Sequence, residues 1–229
     1  MDALDRKAWL GMVQLAVVIG VTLFGPAWST AWWQAWLVLA TFVGCASVVT
    51  VWLMKHDRGL LAKRVEAGAQ VETRGVQKVI QSIASIAFLG VFVVSALDHR
   101  FDWSPWMQPF AVPLTIVGEL AIAFGFYFVF LVFRANTFTS AAIEVASEQH
   151  VVSTGPYAYV RHPMYLGALV MLAGIPLALG SFWGLFAVGA LKLVIVWRLL
   201  DEEKFLAKTL AGYEAYRANV RYRLVPHVW

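Results

Sequence analysis

Six apolar runs, near residues 8–26, 31–54, 79–97, 109–133, 163–180 and 183–200, limit what this chain can fold into. Each approaches the roughly 20 residues that a helix needs to cross a hydrocarbon core. The last two are short enough to be tilted or partly re-entrant. Inside a bilayer every backbone polar group must be satisfied by protein, so single runs of this length fold as helices. The expected fold is all-α: a polytopic integral membrane bundle of about six transmembrane helices with a C-terminal cytoplasmic helical tail. Composition agrees, with 60% hydrophobic and 14% charged residues, outside the usual soluble range. The opening MDALDRKAWLGMVQLAVVIG is basic and then apolar like a signal peptide, but no small-x-small cleavage site follows. It reads as a retained first span.

Six crossings return the chain to the side on which it started. Arg100 falls on the opposite side and Lys192 inside a span, leaving 16 of the 18 Lys and Arg residues on the side of both termini. The excess of basic residues makes that side cytoplasmic. Trp28, Trp32, Trp33, Trp36, Trp103, Trp106 and Trp183 gather at the other face, where an interfacial aromatic belt belongs. Glu119 and Lys192 lie at nearly the same depth in the fourth and sixth spans. An unpaired charge is costly there, so the two are expected to pair and lock those spans together.

The net charge of +4 is spread over several loops between spans, so topology explains it and nucleic-acid binding is not implied. Cys45, the single cysteine, lies in an apolar run, which rules out an intramolecular disulfide and a cysteine metal cluster. No G-x-G-x-x-G occurs, so a Rossmann-type nucleotide site is excluded. Lys55 to Lys78 carries Leu60, Leu61 and Val65 among basic residues, and reads either as an interfacial element on anionic lipid or as a solvated linker. Nothing in it is catalytic by residue type.

Polar chemistry concentrates in GPYAYVRHPMYLG, Gly155 to Gly167. Gly155-Pro156 signals a turn, and Pro163 suits the first turn of a helix. Arg161 and His162 then stand at a helix N-terminus, where free N–H groups and the helix dipole favour an anion. The competing reading makes Arg161 a topogenic charge and His162 a simple cap. Behind the turn, the last two runs form a hairpin about Gly180-Ser181. It returns Arg198 and Glu202, one helical turn apart on one face, to the level of His162.

The run GPYAYVRHPMYLG, the hairpin, Arg198, the pair Glu202-Glu203 and the tail GYEAYRANVRYRLVP resemble the catalytic core of the isoprenylcysteine carboxyl methyltransferase and phospholipid methyltransferase superfamily. The resemblance runs from about Arg134 to Pro226, with RANTF at Arg134–Phe138 as a weaker local match. It divides the chain into residues 1–133, the N-terminal transmembrane helices and interfacial loop, and residues 134–229, the methyltransferase-like core. It implies an S-adenosylmethionine-dependent enzyme acting on a lipid-like acceptor in the bilayer, with no protein partner required. By position, Gln149, His150, Val151, Val152, Tyr157, His162, Pro163, Met164, Tyr165 and Glu202 would line the donor site. Arg198 and His162 would stand at the reacting centre, with Arg198 contacting the acceptor.

The residue chemistry suits those roles. A planar guanidinium fork holds and orients a carboxylate, which favours an isoprenylcysteine-like acid over an amine headgroup. Methyl transfer from a sulfonium depends on positioning, so no general-base role falls to His162. Departures from the family pattern centre on Gln149-His150, since eukaryotic members place a histidine one position earlier. Glu202 and Glu203 have an alternative as a solvated acidic turn beside Lys204 and Lys208. Tyr213, Tyr216, Arg217 and Arg223 read as packing and phosphate contacts. The alternative enzyme class is an NADPH-dependent membrane sterol or steroid reductase with a similar C-terminal core, against which the paired acids argue. A non-enzymatic transporter subunit rests only on the intramembrane charges.

Overall fold

Helix boundaries in the computed structural model, which describes residues 2–66, 69–139 and 150–229, follow the local stop signals of the sequence. Eight α-helices occur among these residues: α1 (Ala3–Ala27), α2 (Trp33–His56), α3 (Arg58–Val65), α4 (Gly75–Phe101), α5 (Ala111–Ala135), α6 (Pro163–Ala178), α7 (Phe182–Thr209) and α8 (Tyr213–Asn219). Two 3₁₀ turns, Pro105–Phe110 and Gly155–Ala158, lead into the polar ends of the bundle. Pro163 opens α6 as expected. The tight turn at Gly180 has φ +68°, a left-handed conformation that glycine adopts without a Cβ penalty. Ser181 then caps α7 by accepting from the Gly184 N–H.

α1, α2, α4, α7 and the stretch Pro105–Ala135 are each long and apolar enough to cross a membrane. α6 is the short apolar helix, with 16 residues, or about 24 Å at 1.5 Å per residue. That is less than a hydrocarbon core of roughly 30 Å. From the Gly180 turn, Arg198 lies an almost equal distance down α7. The start of α6 and Arg198 therefore meet below the level at which the longer helices end.

Packing centres on α5 against α6. Gly118 and Gly125 on α5 face Gly174 and Gly167 on α6, and the seven-residue spacing keeps each pair on one helix face. The backbones touch there: a Cβ on Gly118 would lie 2.2 Å from the Ala178 nitrogen, and one on Gly125 would lie 2.6 Å from the Met171 Cβ. α4 packs along α7, α1 against both α2 and α4, and α2 against α5. Ile19, Leu23, Val38, Phe92, Ile122 and Ile175 form the centre of the shared core.

The two ends of the bundle differ. At one, Asp98 is buried and accepts from the hydroxyls of Ser104 (2.7 Å) and Ser181 (2.6 Å), tying α4 to the start of α7. At the other lie both chain ends and most of the ion pairs, such as Arg58 with Asp2 and Asp5 and Arg74 with Asp201.

Three expectations change. Trp32 is no belt residue: it is buried and stacks on His99 at 4.2 Å between ring centroids, while Trp28, Trp33, Trp36, Trp103, Trp106 and Trp183 remain exposed. Glu119 and Lys192 do not pair. Glu119 faces Thr41 and Cys45 of α2, Lys192 is exposed on α7, and the short α6 stands between α5 and α7. Finally, of the two readings of Lys55–Lys78, the solvated linker does not hold for α3. Leu60 and Leu61 turn inward and pack with Ala8, Leu53 and Phe133, which folds the segment onto the bundle and aims its neighbours at the polar end.

Candidate functional site

The turn before α6 is held by a single buried acid. Glu203 is 4% exposed and accepts through Oε1 from Arg161 Nε (2.7 Å) and through Oε2 from Arg223 Nε (2.9 Å). His162 Nε2 lies 3.2 Å from the same Oε1. Arg161 Nη1 also donates to the carbonyls of Val220 and Arg221, both at 2.9 Å. The N–H groups of Arg161 and His162 bond to the carbonyls of Tyr222 and Arg223, so the C-terminal tail runs alongside the turn. Arg161 is thus buried and turned inward, with Nε bonded to Glu203 and Nη1 to the tail, while the residue also lines the cleft described below. His162 is held by Glu203 and makes no side-chain cap to α6.

The turn also shapes a cleft. Tyr216, from α8, donates its hydroxyl to the Tyr157 carbonyl at 2.8 Å, and Gly155 takes φ +60° to bring the segment against α5. The cleft, open on one side, encloses about 130 Å³. His150, Val151, Val152, Tyr157, His162, Pro163, Met164, Tyr165, Arg198 and Glu202 all line it, together with Asn136, Phe138 and Thr139. Gln149 lies outside the described residues. His150 meets Phe138 edge to face at 5.1 Å.

A hydrogen-bonded chain crosses this cleft. Tyr165 donates its hydroxyl to Glu202 Oε2 at 2.7 Å and accepts from Arg198 Nε at 3.1 Å. Arg198 donates from Nη1 to Gln81 Oε1 and from Nη2 to Glu72 Oε1, each at 2.7 Å. Arg64 joins from α3, its guanidinium 5.0 Å over the Phe133 ring and within electrostatic reach of Tyr165, Arg198 and Tyr157. Burial pushes the Tyr157 hydroxyl up to about 12, against the pull of the Asn136 hydrogen bond. It therefore stays protonated at neutral pH. Burial likewise raises Tyr213, whose buried hydroxyl lines the cleft with no hydrogen-bond partner among the described residues.

Several of these residues escape a reading by sequence. Glu203 does carry a signal: it continues the buried stripe Val188, Leu191, Ile195 and Leu199 at helical spacing, where a solvated acid does not belong. Glu72, Gln81 and Arg64 carry none, because their meeting with Arg198 depends on how α3 and α4 fold back. The segment Lys55–Lys78, in which no residue is catalytic by type, supplies two charged groups, Glu72 and Arg64, beside Arg198.

A family model described as phospholipid methyltransferase matches residues 114–212, from α5 through the end of α7. It agrees with the superfamily that the sequence resembles. The matched segment holds every lining residue of the cleft except Tyr213 and Tyr216. The chain is also similar to a Delta(14)-sterol reductase of Mus musculus, 28% identical over 140 residues. That match covers 53% of this chain and 32% of the relative, so the chain spans about a third of that protein's length.

Proposed function

We propose that this protein is an integral membrane methyltransferase that uses S-adenosylmethionine and acts on a lipophilic acceptor carrying a carboxylate, as isoprenylcysteine does. The observation that supports the acceptor is that Arg198, which lines the cleft, already holds a buried carboxylate oxygen at 2.7 Å through Nη2. Here that oxygen belongs to Glu72, and the guanidinium is already set in a geometry that holds an acid.

The cleft suits the donor in its chemistry. A sulfonium cation favours aromatic faces and a nearby carboxylate, which Tyr157, Tyr165 and Glu202 supply. A nucleoside or amino-acid group offers hydrogen-bonding partners to the orphaned Tyr213 hydroxyl. The enclosed volume is below the roughly 300–1,000 Å³ usual for small-molecule sites, so a donor of this size would extend through the mouth. When bound, S-adenosylmethionine supplies an electrophilic methyl group. Arg198 orients the acceptor carboxylate, Tyr165 fixes the Arg198 side chain through Nε, and the Glu203 clasp holds the turn on which Tyr157 and His162 stand. The acceptor enters from the bilayer, because the site lies at the depth where the short α6 begins. Both termini and the site face the cytoplasm, following the basic residues.

Tritium transfer from labelled S-adenosylmethionine to an S-prenylcysteine acid in detergent tests this reading. Arg198→Ala should cut transfer by about a hundredfold or more while S-adenosylhomocysteine binds within about threefold of wild type, and Arg198→Lys should recover little, since the fork is lost. Loss of donor affinity in step with activity would remove Arg198 from the acceptor side. Similarity to a sterol reductase supports a second reading, hydride transfer from NADPH to an apolar acceptor. Against it, Arg161 is committed to Glu203, whereas a 2′-phosphate calls for available cations. Consumption of NADPH with a sterol acceptor, without methyl transfer, would favour that second reading.

A further inference from the structure

Glu72 sits in a non-helical stretch between α3 and α4, yet its side chain is among the most buried in the protein, at 1% exposure. A loop carboxylate so placed needs a cation, and it finds Arg198 at 2.7 Å. The chain just beyond it is pinned separately. Arg74 makes a two-pronged contact with Asp201, at 2.6 and 3.0 Å, and Gln77 bonds to the same carboxylate. Arg74 is also stacked 5.0 Å from the Phe205 ring. The stretch is thus anchored to α7 at Asp201, while Glu72 reaches past the anchor to Arg198, about one helical turn away.

We propose that Glu72 is an internal stand-in for the acceptor's carboxylate, and so sets which acceptors Arg198 takes. The proposal rests on the reading that the acceptor is a carboxylate held by Arg198. Exchange of one carboxylate for another leaves the buried charge beside Arg198 unchanged. Binding an acid without displacing Glu72 would set two carboxylates against each other at the one guanidinium, and like charges that close repel. A neutral ligand cannot take the place, because it brings nothing to match the charge of Glu72. The same competition acts on the product. Transfer to the acid forms an O–CH₃ bond and breaks the S–CH₃ bond of the sulfonium donor, leaving a neutral ester and a neutral thioether. The ester no longer competes for the guanidinium, so Glu72 returns to Arg198 and the product is released.

Direct binding to the detergent-solubilised protein without donor tests this, with S-prenylcysteine acid and its methyl ester as paired probes. Glu72→Gln keeps an oxygen acceptor for Nη2 but removes the competing charge. A charge-assisted bond worth about 1.5–3 kcal/mol predicts that acid affinity rises about tenfold or more while ester affinity is unchanged. Glu72→Asp, whose shorter side chain retracts the carboxylate, should give a smaller rise and serves if Glu72→Gln does not fold. Acid binding that is unchanged or weakened, equal tightening of acid and ester, or no acid binding by wild type and variant alike would overturn the proposal. Tight acid binding without methyl transfer would instead overturn the proposed reaction and leave this role standing.

Discussion

Among single residues, burial and partner count decide which charges matter. Glu203 and Arg161 each have side chains 5% exposed, and Arg161, His162 and Arg223 all converge on the one carboxylate. Glu203→Ala strands Arg161 in the interior, so a loss of about 3–5 kcal/mol is expected in equilibrium denaturation. Lys7→Ala breaks a pair whose side chains are 58% and 66% exposed and should shift stability by less than about 0.5 kcal/mol. Glu119 and Lys192 follow a different rule. Because they do not meet, and Glu119 is half-buried against Thr41 and Cys45 with no cation beside it among the described residues, Glu119→Gln should hold or raise the melting temperature. Its effect should add to that of Lys192→Met; strong non-additivity would show that the two interact. Tyr157 provides a test by pH. Its folded value of about 12 exceeds the unfolded value near 10, so its contribution to stability is complete below about pH 10 and disappears as pH rises through 12. Wild type should lose stability more steeply than Tyr157→Phe across that window, and equal slopes would contradict the burial of the hydroxyl.

Among the helices, contact between α5 and α6 sets the position of the turn that carries His162. Gly118→Ala forces a Cβ to within 2.2 Å of the Ala178 backbone, and such overpacking typically costs about 1–3 kcal/mol. Gly90 has nothing within 4 Å of an added Cβ, so Gly90→Ala should leave the melting temperature unchanged or raise it. Equal effects of the two substitutions would argue against the close contact. The sequence carries much of this element-level order, because its punctuation is local: Pro163 begins α6, Gly180 turns the hairpin, and the apolar runs have the length of helices. It carries less of the site. Glu202 and Glu203 are adjacent in sequence but about 100° apart around α7, so one faces the cleft while the other clamps the turn. Arg198 stands out in sequence, yet its partner Glu72 lies 126 residues away, and no local pattern joins them. Trp32 shows the same limit: composition places it in the belt, whereas its stacking on His99 draws it inward.

In the molecule as a whole, the short sixth helix and the long seventh helix bring polar groups together at one end of the bundle. Two pairs of charges then close the third-to-fourth-helix connection over α7: Glu72 with Arg198, and Asp201 with Arg74. We propose that the resulting cleft binds a methyl donor. Calorimetric titration of the solubilised protein with S-adenosylhomocysteine and, in parallel, with NADPH tests it most directly. Saturable binding of S-adenosylhomocysteine, weakened about tenfold or more by Glu202→Ala, with no heat of binding from NADPH, is the predicted result. Saturable binding of NADPH with none of S-adenosylhomocysteine would contradict it.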